Sequence, residues 1–181
     1  MNTSSTRTTR KRLTLLGILA IVVIALDQLS KTWIRGNLRV GETSDVWRGV
    51  VHLSHVHNYG AAWSMLSGQR WLLILVTIGV VAVLLSIARG LVEKSAIGAW
   101  SIGLILGGAL GNLVDRILFG HVTDMIDLDT SVGFLRTFPI FNLADSALTM
   151  GVFLLILQTL KPEKPAPKTE IVTANDLAPR S

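Results

Sequence analysis

Long uncharged apolar runs dominate the chain. The first extends from Leu13 to about Trp33 and meets no charge until Asp27, the second covers Trp71 to Ala88, the third Ser95 to Val114, and the fourth runs from about Phe138 to Leu160 with Asp145 near its start. Each approaches the ~20 residues a helix needs to cross a bilayer. The pattern therefore predicts four transmembrane helices, with both termini on one side. The basic start followed by Leu13 to Leu26 has the form of a secretory signal, but no small-x-small cleavage site follows, and Asp27-Gln28-Leu29-Ser30-Lys31 comes next. The first helix is expected to be retained.

Two segments fall outside this pattern. Residues 36 to 57 contain Gly36, Gly41 and Gly49 and the partly alternating run Val51 to His57, which predicts a short strand or two at the membrane surface. The segment from Lys161, rich in Lys, Pro and Ala, predicts a disordered tail. The expected organisation is a basic N-terminus over 1–12, a four-helix membrane domain over 13–160 and a cytoplasmic tail over 161–181.

Composition supports a membrane setting. Only 16% of the 181 residues are charged and mean hydropathy is +0.53, whereas soluble domains carry about 25% charged residues. The absence of cysteine excludes disulfides, thiolate nucleophiles and cysteine-ligated metals. The net charge of +5 reads as helix flanks and not as a nucleic-acid surface. Arg7, Arg10, Lys11, Arg12, Arg89, Lys94, Lys161, Lys164 and Lys168 fall on one side, and Lys31, Arg35, Arg39, Arg48, Arg70, Arg116 and Arg136 at or near the other. The excess predicts that both termini are cytoplasmic.

Ionisable groups within such helices are costly and need a reason. Asp27 and Lys31 share a helix face, either as a helix-end anchor or, with Gln28, as a polar floor beneath a site. Gly103, Gly107 and Gly111 recur every four residues and permit close helix packing. Asn112, Asp115 and Arg116 follow them as a polar patch that packing does not require. Spans three and four form an antiparallel hairpin through residues 120–137, so Asp124 and Asp145 can lie at similar depth. Two converging carboxylates that share one proton would support aspartic-protease chemistry. The alternative is that Asp145 serves the helix N-terminus while Asp124, Asp127 and Asp129 form a solvated loop. A metal at His52, His55 and His57 is disfavoured because metalloprotease spacing is absent, and a serine hydrolase at Ser64 or Ser67 because no G-x-S-x-G elbow exists.

Five blocks then carry a resemblance. They are Asp27-Gln28-x-x-Lys31, Asn58-Tyr59-Gly60-Ala61-Ala62-Trp63, Gly107-Gly108-Ala109-x-Gly111-Asn112-x-x-Asp115-Arg116, Val122-x-Asp124-x-Ile126-Asp127 and Phe141-Asn142-x-Ala144-Asp145. In this order the chain resembles the lipoprotein signal peptidases (signal peptidase II), bacterial intramembrane aspartyl peptidases. Trp63 and Met125 depart from the family's usual phenylalanines, and the histidine cluster is not a feature of the family's pattern.

The resemblance implies an all-α membrane protein of the bacterial inner membrane, with a small extracytoplasmic β-cradle and a surface helix between helices 1 and 2. It implies an aspartic endopeptidase that removes the signal peptide from diacylglyceryl-modified prolipoproteins, cutting on the N-terminal side of the lipidated cysteine, near the extracytoplasmic face. The catalytic pair falls on Asp124 and Asp145. Asn58, Asn112, Arg116 and Asn142 fall on substrate-pocket positions, where Arg116 is placed to meet a lipid phosphate. Asp27, Lys31 and Asp115 are supporting residues. No metal or cofactor is implied, membrane lipids are the surroundings, and a monomer with no nucleic-acid partner is expected. The competing readings are a four-helix proton-coupled transporter using Asp27, Asp115 and Asp145, and a non-catalytic assembly subunit.

Overall fold

A computed structural model describes residues 3–47, 49–60, 65–128 and 137–160. Arg48, Ala61, Ala62, Trp63, Ser64, Asp129, Arg136 and the tail from Lys161 lie outside the described residues. In chain order the elements are α1 (Thr3–Asn37), β1 (Thr43–Trp47), β2 (Val51–Asn58), α2 (Arg70–Lys94), α3 (Ala96–Phe119), β3 (Val122–Asp127) and α4 (Leu143–Leu160). All four helices are long and apolar enough to cross a membrane.

The helix ends differ from the apolar runs for local reasons. Residues 3–12 contain neither proline nor glycine, so α1 begins well before Leu13. Its 35 residues span about 52 Å, beyond the ~30 Å hydrocarbon thickness, and the basic first turns extend past the apolar belt. The fourth helix starts at Leu143 and not at Phe138. Pro139 precedes it, and Asn142 closes its first turn: Asn142 Oδ1 accepts from the Asp145 N–H (2.9 Å) while the Asp145 carboxylate accepts from the Asn142 N–H (3.2 Å). This reciprocal arrangement is a capping box.

Helix α3 is the axis of the bundle. In its apolar stretch 72% of residues are buried, against 11% in those of α1 and α4 and 22% in that of α2. Its glycines account for this. A Cβ on Gly107 would sit 2.6 Å from Val23 Cβ and 3.0 Å from the Ala20 carbonyl oxygen of α1, and one on Gly108 would collide with the Ala144 carbonyl of α4. Removing side chains on two faces lets both neighbours approach the same helix at backbone distance. Below this contact Leu16, Ala20, Leu84, Ala88, Val92, Ala99, Ile102, Ile105 and Leu106 form the apolar core. Leu, Ile and Val side chains on the outer faces of α1, α2 and α4 remain exposed, as lipid-facing surfaces are.

Polar ties fix the two ends. Arg12 Nη1 donates to the Val92 and Glu93 carbonyls (3.0 and 3.1 Å), and Gln158 Nε2 to that of Leu91 (3.1 Å), so the N-terminal part of α1 and the C-terminal part of α4 meet the α2–α3 turn. At the opposite end lies the antiparallel sheet, ordered β1-β2-β3. The expected strands within 36–57 are present. A third, β3, occupies part of the 120–137 connection; Val122, Thr123, Asp124 and Met125 are all buried, so the solvated-loop alternative does not describe Asp124. Between α1 and α2 the described residues hold strands and a turn, and the position available for a surface helix includes residues 61–64, outside the described residues.

Gly107→Val should disrupt the α1–α3 contact and destabilise the protein by about 1–3 kcal/mol, read as a lower unfolding temperature in detergent. Gly79→Ala on α2, where an added Cβ meets nothing within 4 Å, should be neutral or slightly stabilising. Equal effects from the two would contradict the packing argument.

Candidate active site

A completely buried ionic cluster lies at the sheet end of the bundle. Lys31 Nζ of α1 contacts Asp27 Oδ2 (2.8 Å) and Asp115 Oδ2 (3.3 Å), and all three side chains have 0% exposure. Gln28 Nε2 donates to Asp27 Oδ2 (3.2 Å), the Gly111 carbonyl (3.1 Å) and Asp115 Oδ1 (3.1 Å). Arg35 Nη1 reaches Asp115 Oδ1 (3.5 Å) and Thr123 Oγ1 (3.0 Å). Two carboxylates thus face two cations. Of the two readings of Asp27 and Lys31, a polar floor that includes Gln28 describes the arrangement, since the pair also engages Asp115 and Asn112 of α3 and a helix-end anchor alone would not.

The cluster also fixes the elements that carry the two candidate catalytic carboxylates. Asp27 Oδ1 accepts from the Ala144 N–H (3.0 Å) in the first turn of α4, and Asp115 Oδ2 accepts from the Thr123 N–H (2.9 Å) of β3. Asp124 and Asp145 are therefore each one residue from a backbone group tied to the cluster. The Phe141 carbonyl accepts from the Ile126 N–H (2.7 Å) and the Phe141 N–H donates to the Ile126 carbonyl (3.1 Å), so β3 lies beside the segment leading into α4. The hairpin argument predicted this convergence, and the strand supplies it.

Amides surround the pair. Asp124 accepts from Asn58 Nδ2 (2.9 Å) and Asn142 Nδ2 (2.6 Å). Asp145 accepts from Asn112 Nδ2 (2.8 Å) and the Asn142 N–H. Asn112 Oδ1 in turn accepts from Lys31 Nζ (2.8 Å) and Asn142 Nδ2 (3.2 Å). The Lys31 ammonium consequently fixes which way the Asn112 amide points, presenting its N–H to Asp145. Asn142 caps α4 and contacts both carboxylates. Burial, and secondly the charge of Asp145, push the Asp124 carboxyl up to about 6, against the opposing hydrogen bonds of Asn58 and Asn142.

The carboxylates open onto a cavity of about 630 Å³ lined by Asn58, Asn112, Arg116, Asp124 and Asp145 among the polar groups and by Val76, Val80, Phe138, Phe141 and Leu148 among the apolar ones. Asn142 does not line it and lies buried behind the pair. Arg116 Nη2 donates to the Gly60 carbonyl (2.9 Å) and Nη1 to that of Asn112 (3.4 Å), so this guanidinium holds the turn after β2 as well as facing the cavity. Asp127 is outside the lining, paired in register with His52.

The three histidines of β2 do not converge on one point. His52 pairs with Asp45 (3.1 Å), His55 Nδ1 contacts the Leu38 carbonyl (2.9 Å), and His57 stacks on His121 with centroids 3.6 Å apart. Burial pushes His57 below the ordinary imidazole range, followed by the charge of His121, and burial does the same to His121. Neutral rings are compatible with stacking. Sequence reasoning missed His121, Thr123 and Arg35; Arg35, one turn beyond Lys31, was the legible one.

The fold and this site define a multi-pass membrane protein with a carboxylate-containing cavity at one end of a four-helix bundle. Residues 19–161 match the family model described as signal peptidase (SPase) II, and the chain belongs to that family, which makes it a protease. The lipoprotein signal peptidase of Halothermothrix orenii is 42% identical over 147 residues, covering 81% of this chain and 96% of the relative. That of Moorella thermoacetica is 42% identical over 145 residues, covering 80% and 92%. A solved bacterial membrane enzyme structure obtained by the in meso method superposes with a TM-score of 0.71 at 35% identity, covering 83% of this chain and 93% of the other.

Lys31→Met should leave Asp27 and Asp115 without their buried counter-ion and cost about 3–5 kcal/mol, measured by chemical unfolding in detergent. A loss below about 1 kcal/mol, the range of an exposed pair, would contradict the cluster's role.

Proposed function

We propose that the chain is an intramembrane aspartic endopeptidase that removes the signal peptide from diacylglyceryl-modified prolipoproteins, cutting on the N-terminal side of the lipidated cysteine. The observation that carries this reading is the placement of Asp124 and Asp145 on one cavity wall, each held by two N–H donors. Membership of the signal peptidase II family supports prolipoproteins as the substrate class. The cavity's apolar wall suits lipid and signal-peptide side chains. In the bilayer both termini face the cytoplasm and the site lies near the extracytoplasmic face, as the basic flanks of α1 and of the α2–α3 turn favour. The protein acts as a monomer among membrane lipids.

The chemistry follows from two like charges in one poorly solvated site, which hold a proton between them. Asp124, with its raised pKa, carries that proton, and an apolar substrate covering the cavity desolvates it further in the same direction. Asp145 takes a proton from a water, the water oxygen bonds to the scissile carbonyl carbon, and Asp124 donates its proton to the carbonyl oxygen. The resulting gem-diol collapses when Asp145 returns its proton to the amide nitrogen. The C–N bond breaks, and Asp124 recovers a proton from a diol hydroxyl.

Asn58, Asn112 and Asn142 hold the two carboxyl groups, and Asp27, Lys31 and Asp115 hold the asparagines and the backbone. Arg116 takes a role different from the phosphate contact expected of it. A diacylglyceryl thioether has no phosphate, and the guanidinium already holds Gly60; it positions the β2 turn and offers its remaining N–H groups to substrate carbonyls.

The test is cleavage of a diacylglyceryl-modified prolipoprotein in detergent, with its unlipidated form as control. Asp124→Asn and Asp145→Asn should each lower turnover by at least about 10³-fold, the order expected for loss of an acid or base, while Asp127→Asn stays active. Near-normal cleavage by either of the first two would sink the dyad assignment. In the substrate-free enzyme, deprotonation of Asp124 removes the acid, so kcat/KM should fall as pH rises through about 6. Asn58→Ala removes a hydrogen bond that favours the ionised form, and should move that limb to higher pH. Movement to lower pH would contradict the assignment.

A further inference from the structure

A second cavity lies where α1 ends and the chain turns toward β1. It measures about 1010 Å³ and is lined by Arg35, Arg39, Glu42, His55 and the backbone of residues 36–41. It takes no part in the chemistry above. Three exposed tryptophans, Trp33 at the end of α1, Trp47 at the end of β1 and Trp71 at the start of α2, surround this end of the bundle, and tryptophans gather at the headgroup level of a bilayer. Val40 and Val46 are also exposed there, at 60% and 63%. The cavity is therefore at the depth of lipid headgroups.

Its lining offers two kinds of partner. Arg39 is exposed and Arg35 is partly so, which gives a cationic edge. Opposite in charge is Glu42, also exposed, with one carboxylate oxygen, Oε2, accepting from the Arg39 N–H (2.7 Å). His55 is only 4% exposed. Its Nδ1 lies 2.9 Å from the Leu38 carbonyl oxygen, which can only accept, so Nδ1 carries the N–H and Nε2 of the neutral ring is an acceptor. That Nε2 is buried and has no hydrogen-bond partner among the described residues. A buried acceptor without a donor is costly, and a ligand that brings N–H groups removes the cost.

We propose that this cavity binds the headgroup of a phospholipid carrying both a phosphate and a primary ammonium, a phosphoethanolamine group, with Arg39 on the phosphate and Glu42 and His55 on the ammonium. An ammonium has three N–H donors, whereas a trimethylated headgroup of the same charge has none. This difference makes the proposal testable without altering the protein.

Full-length protein in detergent is mixed with phosphatidylethanolamine and phosphatidylcholine of the same acyl chains, and retained lipid is counted by native mass spectrometry. Phosphatidylethanolamine should be retained about fivefold over phosphatidylcholine, the ratio one additional hydrogen bond provides. Glu42→Gln should reduce the preference, and Arg39→Gln should reduce retention of both lipids, with signal-peptide cleavage unchanged in either variant as the control for folding. Equal retention of the two lipids by the wild type, or an undiminished preference in Glu42→Gln, would overturn the proposal. Displacement of the retained lipid by an equimolar amount of soluble glycerophosphoethanolamine would overturn the bilayer as the source of the headgroup.

Discussion

A fully buried ammonium group is the constraint around which this membrane protein is arranged. Lys31 has no exposure to solvent or lipid, and its charge is met by Asp27, Asp115 and the Asn112 carbonyl. An unpaired charge in that position would cost several kcal/mol, so α1 and α3 are held in one register. Asp27 uses its other oxygen on the Ala144 N–H of α4, and the Asp115 oxygen that meets Lys31 also accepts from the Thr123 N–H of β3. One electrostatic requirement thus brings together four elements far apart in sequence, and the two candidate catalytic carboxylates are attached to two of them.

The apolar lower half and the polar upper half of the bundle depend on the same helix. Along α3, glycines at 103, 107, 108 and 111 allow α1 and α4 to approach closely, and only at that distance can side chains as short as Asn112 and Asp115 bridge between helices. The packing reading and the polar-patch reading of α3 are two parts of one mechanism. The hydrogen bond that Asn112 makes between helices also orients Asp145.

Much of this was legible in the sequence because bilayer physics is severe. Four uncharged runs, and carboxylates placed where they are costly, stand out without any structure. Asp124 and Asp145 were placed at similar depth by counting along a hairpin. What could not be read was the strand between them: Val122 to Asp127 is short, and its burial comes from β2 and from Phe141, which are distant in sequence. For the same reason the Asn142 side chain, legible as a helix start, could not be seen to reach Asp124 as well. His121 has no local signal at all; its partner His57 lies on another element. The Arg116 expectation came from the kind of residue present, while its geometry depended on the Gly60 carbonyl.

The central claim is that the two carboxylates share one proton, held on Asp124 by burial and by the charge of Asp145. Infrared titration of the carboxyl C=O stretch in the purified protein tests it most directly. The account predicts a band of buried protonated carboxyl that disappears with a midpoint near pH 6 and is missing in Asp124→Asn. A spectrum with no such band, or one in which the band survives in Asp124→Asn, would contradict it.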